Sequence, residues 1–317
     1  MKKRFLGHSG LEVSVVGLGC NNFGGMIQSL DLDTSRKVIH AALDAGVTLF
    51  DTADSYGLAG GSEKTLGEIL GGRRKDIVLA TKFASPLNRA VSTRYNGSRG
   101  YVMGAVEDSL RHLKTDYIDL YQYHFPDPGT PIDETLRALD DLVRQGKVRY
   151  LGCSNLDAWQ LVDASWTSRH LNLERLLSTQ TEYNLLARSA EKDLFPALRA
   201  ARMTLLPYFP LASGLLTGKY RKGQPLPSDT RMSMTFFKGG LTDDRLEIIE
   251  KLIAFSEERG RTILELAFSW LLSNSMVTSV IAGATKPEQV TANAKAADWD
   301  LTAADKAELE RILAENA

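Results

Sequence analysis

The feature that most constrains this fold is a regular alternation along almost the whole chain. Short apolar runs typical of buried strands alternate with amphipathic stretches typical of surface helices. Eight runs are predicted to be strands: residues 15–19, 47–50, 77–81, 117–123, 148–153, 176–180, 203–208 and 280–283. Because unmixed strand–helix alternation favours a parallel sheet covered by helices, and eight units fit 317 residues, we predict an α/β fold, a (β/α)8 TIM barrel.

The stretches between these strands are predicted to be helices: residues 34–45, 62–70, 98–113, 131–145, 156–167, 189–200, 261–273 and 287–296. An N-terminal β-hairpin is expected from residues 3–6 and 12–15. Two further helical patterns, 243–259 and 303–314, break the alternation and are predicted to be extra helices outside the barrel. Residues 1–317 are predicted to form a single domain, with a functional loop at 218–240.

Composition excludes several classes of protein. The formal net charge of −1 provides no global field that would attract nucleic acid or an anionic membrane. No stretch approaches the length of a membrane-spanning helix, and the basic start of the chain is not followed by a long apolar segment. The two cysteines, Cys20 and Cys153, do not form a metal-binding or disulfide pattern. We therefore expect a soluble cytoplasmic protein without a metal site.

Polar side chains occur where the predicted strands end. The second strand runs into Asp51 and Tyr56, the third ends at Lys82, and the fourth ends at His124. Ser154 and Asn155 follow the fifth strand, and Gln180 closes the sixth. Because the carboxyl ends of barrel strands meet at one face, these side chains are expected to share one site.

This set of side chains suits the reduction of a carbonyl group. Tyrosine has an ordinary pKa of about 10, which is high for proton donation at neutral pH. An adjacent ammonium such as Lys82 stabilises the phenolate, so it makes Tyr56 a stronger acid. Asp51 would hold that ammonium in place, and His124 could donate a hydrogen bond to the substrate oxygen.

Four segments carry a resemblance to a known family: residues 49–57, 80–82, 119–124 and 152–155. In these segments the chain resembles the aldo-keto reductases, including bacterial members and the β subunits of potassium channels. The resemblance covers almost the whole chain. It implies a catalytic tetrad of Asp51, Tyr56, Lys82 and His124, in which Tyr56 is the general acid. It also implies reduction of an aldehyde or ketone by hydride transfer from a nicotinamide.

The resemblance further implies an NADPH (NADP+) site. The positions that carry over as cofactor contacts are Cys20, Asn21, Asp51, Ser154, Asn155, Gln180, Tyr208, Phe209, Pro210, Leu211, Ala212, Ser213, Lys219, Arg231, Gly283, Thr285, Lys286, Gln289 and Asn293. Two positions depart from relatives: Ala292 stands where glutamate is common, and Gln289 where some relatives have arginine. Thr285, Lys286, Lys219 and Arg231 could contact a 2′-phosphate instead, so NADPH is favoured over NADH.

The substrate remains open among aldehydes and ketones. Five aromatic residues are predicted to line an apolar pocket: Phe23, Phe83, Phe125, Phe236 and Phe237. The expected partner is a small carbonyl compound, and the oligomeric state stays open.

Other interpretations remain beside this one. Taken singly, each polar residue could have a structural role, such as Asp51 capping a turn or Ser154 and Asn155 capping the next helix. A second hypothesis is an NADPH-binding sensor subunit, which the likeness to channel β subunits suggests. Those subunits carry asparagine at the position of His124, so the histidine favours an enzyme. A third is a barrel aldolase with Lys82 as a Schiff-base lysine.

Overall fold

A short antiparallel hairpin opens the chain and closes one end of the barrel. It consists of β1 (Lys3–Phe5) and β2 (Glu12–Ser14). Leu6 and Val13 of this hairpin pack into a buried cluster with side chains from the barrel interior, including Leu49 and Leu120. The hairpin therefore covers the barrel at the amino-terminal ends of its strands.

Eight parallel strands form the barrel, in a computed structural model that describes residues 1–25, 29–58, 60–86, 96–225 and 241–314. They are β3 (Val16–Gly19), β4 (Leu49–Asp51), β5 (Val78–Phe83), β6 (Ile118–Tyr123), β7 (Val148–Ser154), β8 (Leu176–Glu182), β9 (Thr204–Tyr208) and β10 (Val280–Gly283). Neighbours in sequence are neighbours in the sheet, and β10 pairs with β3. The segment before β10 completes the ring, since Leu205 N donates to Met276 O at 2.8 Å and Thr278 N donates to Leu205 O at 3.1 Å. This confirms the predicted (β/α)8 barrel.

The helices surround the barrel. They are α1 (Leu32–Asp44), α2 (Gly61–Leu70), α3 (Arg99–Leu113), α4 (Ile132–Arg144), α5 (Ala158–His170), α6 (Leu194–Ala201), α7 (Asp243–Glu257), α8 (Ile263–Leu272), α9 (Pro287–Lys295) and α10 (Ala303–Ala314). The two helices predicted to be extra to the barrel are α7 and α10, which pack against each other. Of the predicted loop at 218–240, residues 226–240 lie outside the described residues. No helix in the described ranges is long and apolar enough to cross a membrane.

Two of the helix starts that differ from the sequence prediction have identifiable reasons. The sequence predicts a helix from residue 189, but Ser189–Glu191 form a separate 3-10 turn and α6 begins at Leu194. This start keeps Pro196 within the first turn, where its missing N–H leaves no helical hydrogen bond unmade. Helix α1 also begins earlier than predicted, because Asp31 is its cap and accepts a hydrogen bond from Thr34 N at 2.7 Å.

Strand residues alternate between the barrel interior and the layer under the helices. On β5 and β6 every residue is buried, since both faces of the sheet are covered. Phe83 stacks on both Tyr121 and Tyr123 in the large core cluster between strands and helices. Lys82 precedes Phe83 on β5, and Gln122 lies between Tyr121 and Tyr123 on β6. Because successive side chains of a strand point to opposite faces, Lys82 and Gln122 point into the barrel.

Candidate active site

The Lys82 ammonium lies at the centre of a buried polar network. Its side chain has no exposed surface. Its Nζ lies 2.7 Å from Asp51 Oδ2, 2.9 Å from the Thr52 carbonyl oxygen and 3.2 Å from Tyr56 OH. The ammonium has three N–H donors, and these three contacts can satisfy all of them although no water reaches the group. Lys82 thus contacts both Asp51 and Tyr56, which are three of the four residues of the expected tetrad.

Backbone geometry places Tyr56 beside Lys82. The loop after β4 is tied to β5, because Thr52 N donates to Ala80 O and Asp54 N donates to Lys82 O. Gly57 follows Tyr56 with φ of +74°, and a Cβ there would lie 2.8 Å from the Gly24 carbonyl oxygen. Only glycine lets the chain turn at this point, so Gly57 sets where the phenol lies.

Asp51 is held by more groups than the sequence indicates. Its Oδ1 accepts hydrogen bonds from Gln122 Nε2 at 3.0 Å and from Gln180 Nε2 at 2.9 Å. Sequence reasoning missed Gln122 as a site residue. A signal was present, because Gln122 lies two positions before His124 and shares its side of the strand.

The network shifts the pKa values of the amine and the phenol. Burial alone would lower the pKa of Lys82, but the Asp51 carboxylate and Tyr56 outweigh it, so the net direction is upward. Burial raises the pKa of Tyr56 above its ordinary value; the Lys82 charge acts in the opposite direction and the Asp51 carboxylate adds to the rise. Lys82 is therefore charged and Tyr56 protonated at neutral pH.

His124 faces the phenol from the end of β6. Its ring meets the Tyr56 ring edge to face, with centroids 5.8 Å apart, and it stacks on Phe125 at 4.6 Å. Burial, together with the nearby Lys82 charge, lowers the pKa of His124 well below 6.5. Its Nδ1 is buried and has no hydrogen-bond partner among the described residues. The imidazole is therefore neutral and can donate one hydrogen bond but not act as a strong acid.

Polar side chains at the ends of β7, β8 and β9 extend the site. Asn155 has φ of +58°. Its Nδ2 donates to His124 O at 3.0 Å, and its Oδ1 accepts from Tyr208 OH at 3.1 Å. Ser154 Oγ donates to Gln180 O at 2.8 Å. Neither Ser154 nor Asn155 caps the next helix, whose N-cap is Asp157.

The segment after β9 forms a tight loop at the same end of the barrel. Phe209, Ala212 and Ser213 all have positive φ, and Asn184 Nδ2 holds the Phe209 carbonyl at 3.0 Å. Pro210 is buried and Leu211 is half-buried within this loop. The exposed Lys219 returns over it, with Nζ 3.3 Å from the position a Cβ would take on Gly214. Lys219 Nζ lies 5.1 Å from the centroid of the Tyr220 ring, and no carboxylate pairs with it among the described residues. A loop backbone beside an exposed ammonium is an arrangement suited to an anion.

The β10 side supplies the remaining expected cofactor positions. Gly283 is exposed and adjoins Asn21, whose Oδ1 lies 3.7 Å from the place of a Cβ. Gln289 Oε1 accepts from Thr285 N at 2.7 Å, directly before α9 begins. Lys286 is exposed at the N-cap of α9, and Asn293 is buried about two turns further along.

Several residues predicted for the site are not brought to its open part. Phe23 and Phe83 have no exposed surface, because both pack in the core cluster, so neither lines a substrate pocket. Cys20 is also fully buried, and burial raises the pKa of its thiol well above the usual range. Phe125 is half-exposed beside His124. Arg231, Phe236 and Phe237 lie outside the described residues.

A family model for the aldo/keto reductase family matches residues 15–314. The chain belongs to this family. The chain is 36% identical over 311 residues to a protein of Arabidopsis thaliana named a probable voltage-gated potassium channel subunit beta, covering 94% of this chain and 92% of the relative. It is 34% identical over 318 residues to aldo-keto reductase YhdN of Bacillus subtilis, covering 99% and 94%. The solved structure of a glycerol dehydrogenase from Gluconobacter oxydans matches with a TM-score of 0.84 at 31% identity, covering 99% of this chain and 96% of the other.

The polar groups around this site fit a nicotinamide cofactor. The rim of the site combines amide and hydroxyl groups at Asn155, Ser154 and Tyr208 with the anion-suited loop beneath Lys219. Within the described ranges, no three His, Cys, Asp or Glu side chains are grouped to hold a metal ion.

Proposed function

We propose that the protein reduces an aldehyde or ketone to an alcohol with NADPH. The observation that carries this proposal is the Lys82 ammonium, buried and hydrogen-bonded to both Asp51 and Tyr56 OH. A buried lysine that serves only packing is costly, whereas one in contact with a phenol can stabilise a developing phenolate. NADPH, when bound, supplies the hydride. The residues of the chain supply the proton and hold the carbonyl.

Tyr56 is the proton donor in this proposal. Its hydroxyl is protonated at rest, and loss of the proton leaves a phenolate 3.2 Å from the Lys82 ammonium. The favourable interaction of these two charges exists only after proton transfer, so it stabilises the transition state more than the ground state. The alkoxide oxygen of the substrate takes the proton from Tyr56.

His124 orients the substrate oxygen. Its pKa lies well below 6.5, so at neutral pH it is an uncharged hydrogen-bond donor and does not compete with Tyr56 as the acid. The edge-to-face contact with Tyr56 places both groups on the same side of the pocket. A carbonyl oxygen that accepts from both would be polarised before hydride arrives.

The function is tested by steady-state oxidation of NADPH with a panel of aldehydes and ketones, beginning with 4-nitrobenzaldehyde. We expect sustained turnover that depends on both the cofactor and the carbonyl compound. Covalent trapping of Lys82 by borohydride, without NADPH consumption, would instead support an aldolase.

A sensor subunit is the second candidate function, and the likeness to a relative named as a potassium channel subunit favours it. The two candidates differ in turnover rather than in cofactor binding. Tight NADPH binding with no consumption across the panel would support the sensor, and fast consumption would exclude it.

The preference for NADPH depends on cations near the start of α9. Lys286 is exposed, and no ion pair involves it among the described residues. We expect K286Q to raise the Kd for NADPH roughly 3- to 10-fold, because an exposed charge pair contributes about 1 kcal/mol, with little change for NADH. Lys295→Gln, at the other end of α9, is the matched control. Equal affinity of the wild type for NADPH and NADH would contradict the proposed preference for NADPH.

A further inference from the structure

The Asp51 carboxylate accepts hydrogen bonds from side chains of three different strands. Oδ2 accepts from Lys82 on β5, and Oδ1 accepts from Gln122 on β6 and from Gln180 on β8. The two amides also approach each other, with Gln180 Nε2 3.5 Å from Gln122 Oε1. Asp51 is therefore fixed from both sides, and its Oδ2 is left facing the ammonium.

The barrel is built to admit the Gln122 side chain. Strand register sets Gln122 beside Lys82 on one side and Gly152 on the other. A Cβ on Gly152 would lie 3.2 Å from Gln122 Cγ, tighter than ordinary packing. The absence of a side chain at Gly152 therefore leaves space for a long amide to cross the interior towards Asp51.

Gln122 has no exposed surface, so its amide has lost its contacts with water. A buried amide costs free energy unless its hydrogen bonds are made, and an apolar residue would fill a barrel interior without this cost. The donor that Gln122 provides goes to a single carboxylate oxygen of the proposed tetrad. Its burial is explained if the orientation of Asp51 matters to the chemistry.

We propose that Gln122 is a positioning residue for the proton donor, an inference that rests on the proposed function. By holding Asp51 Oδ1, Gln122 keeps Oδ2 on Lys82 and so keeps Nζ within reach of Tyr56 OH. Gln180 also donates to Asp51 Oδ1, so we expect it to keep part of the hold on Asp51 when Gln122 is changed. Gln122 Nε2 donates to Asp51 Oδ1, and Gln122 Oε1 faces the Gln180 amide.

The test compares Q122M and Q122E with the wild type in carbonyl reduction as a function of pH. Q122M keeps the side-chain length but removes the donor, so we expect kcat to fall roughly 10- to 100-fold with the Kd for NADPH nearly unchanged. Q122E is isosteric and faces Asp51 with a second carboxyl group, so the pair shares a proton at low pH. When the new carboxyl group holds this proton, its O–H can donate to Asp51 in place of the lost amide N–H.

The decisive readout is the ratio of mutant to wild-type kcat across the pH range. We expect the ratio for Q122E to rise as the pH falls and the ratio for Q122M to stay low and flat. A purely structural role would lower thermal stability in both variants without this difference. The matched control is S178A. Ser178 lies on β8 in register with Gly152, and its hydroxyl has no partner within the described part of the chain.

Two results would overturn the inference: wild-type kcat in Q122M, or a Q122E ratio that is the same at every pH. Either result leaves the proposed function intact if the wild type turns over. A wild type that consumes no NADPH with any carbonyl compound would instead remove the proposed function, and this inference with it.

Discussion

At the residue scale, the site depends on the balance between burial and charge around Tyr56. The sequence indicated that Lys82 would make the phenol more acidic, and the ammonium does act in that direction. Burial acts against it and is the larger effect, so the pKa of Tyr56 is raised. The phenol consequently stays protonated until charge develops on the substrate. An acid that holds its proton in the resting state is suited to protonating an alkoxide, which is a stronger base.

The neutrality of His124 predicts how stability depends on pH. In the unfolded chain this histidine takes up a proton near pH 6.5, whereas in the folded protein its pKa is well below that value. Below about pH 6.5 the unfolded state therefore binds more protons, so the free energy of unfolding falls as the pH falls. This one group contributes a slope of up to about 1.4 kcal/mol per pH unit.

We expect H124N to lack this contribution. Urea denaturation of wild type and H124N between about pH 5 and pH 8 measures the difference, and effects from all other groups cancel to first order. Parallel pH profiles for the two proteins would show that His124 titrates normally in the folded state.

At the element scale, the two ends of the barrel differ in composition. The hairpin covers the amino-terminal end, and the polar network lies at the carboxyl-terminal end. The hairpin residues Leu6 and Val13 join an apolar layer with Leu49 and Leu206. The polar network of Lys82 lies above this layer, at the carboxyl ends of the strands. This apolar layer, which we call the apolar plug, excludes water from the amino-terminal end of the barrel. Electrostatic interactions in the polar network are stronger as a result, because the local dielectric constant is lower.

Truncating a side chain of the apolar plug should lower the free energy of unfolding but leave kcat unchanged. Leu6 has no exposed surface, so L6A is expected to lower the free energy of unfolding by about 2 to 4 kcal/mol through lost burial and a cavity. The neighbouring Phe5 is 61% exposed, and F5A is the matched control with an expected change under about 1 kcal/mol. Denaturation midpoints and kcat per folded molecule measure the two effects. A loss of kcat in folded L6A without a loss of stability would contradict this division.

At the scale of the whole molecule, the strand–helix alternation was sufficient to predict the barrel. Every predicted strand is present, and its ends differ by at most two residues, as Leu49–Asp51 against 47–50 shows. Phe83 was misassigned because it follows Lys82 directly, and neighbours in a strand point to opposite faces. The place of Gln122 two positions before His124 could have indicated a site residue, but nothing nearby in the sequence identifies its partner. Asp51 is 71 residues away in sequence, so only the closed barrel brings them together.

The most direct measurement of the central claim is the kinetics of Y56F. The variant removes the hydroxyl that lies 3.2 Å from Lys82 Nζ and leaves the ring in place. We expect kcat for carbonyl reduction to fall roughly 10²- to 10⁴-fold while the Kd for NADPH stays close to the wild-type value. Tyr117→Phe, just before β6 at the opposite end of the barrel, is the control. Reduction by Y56F at the wild-type rate would contradict the assignment of Tyr56 as the proton donor.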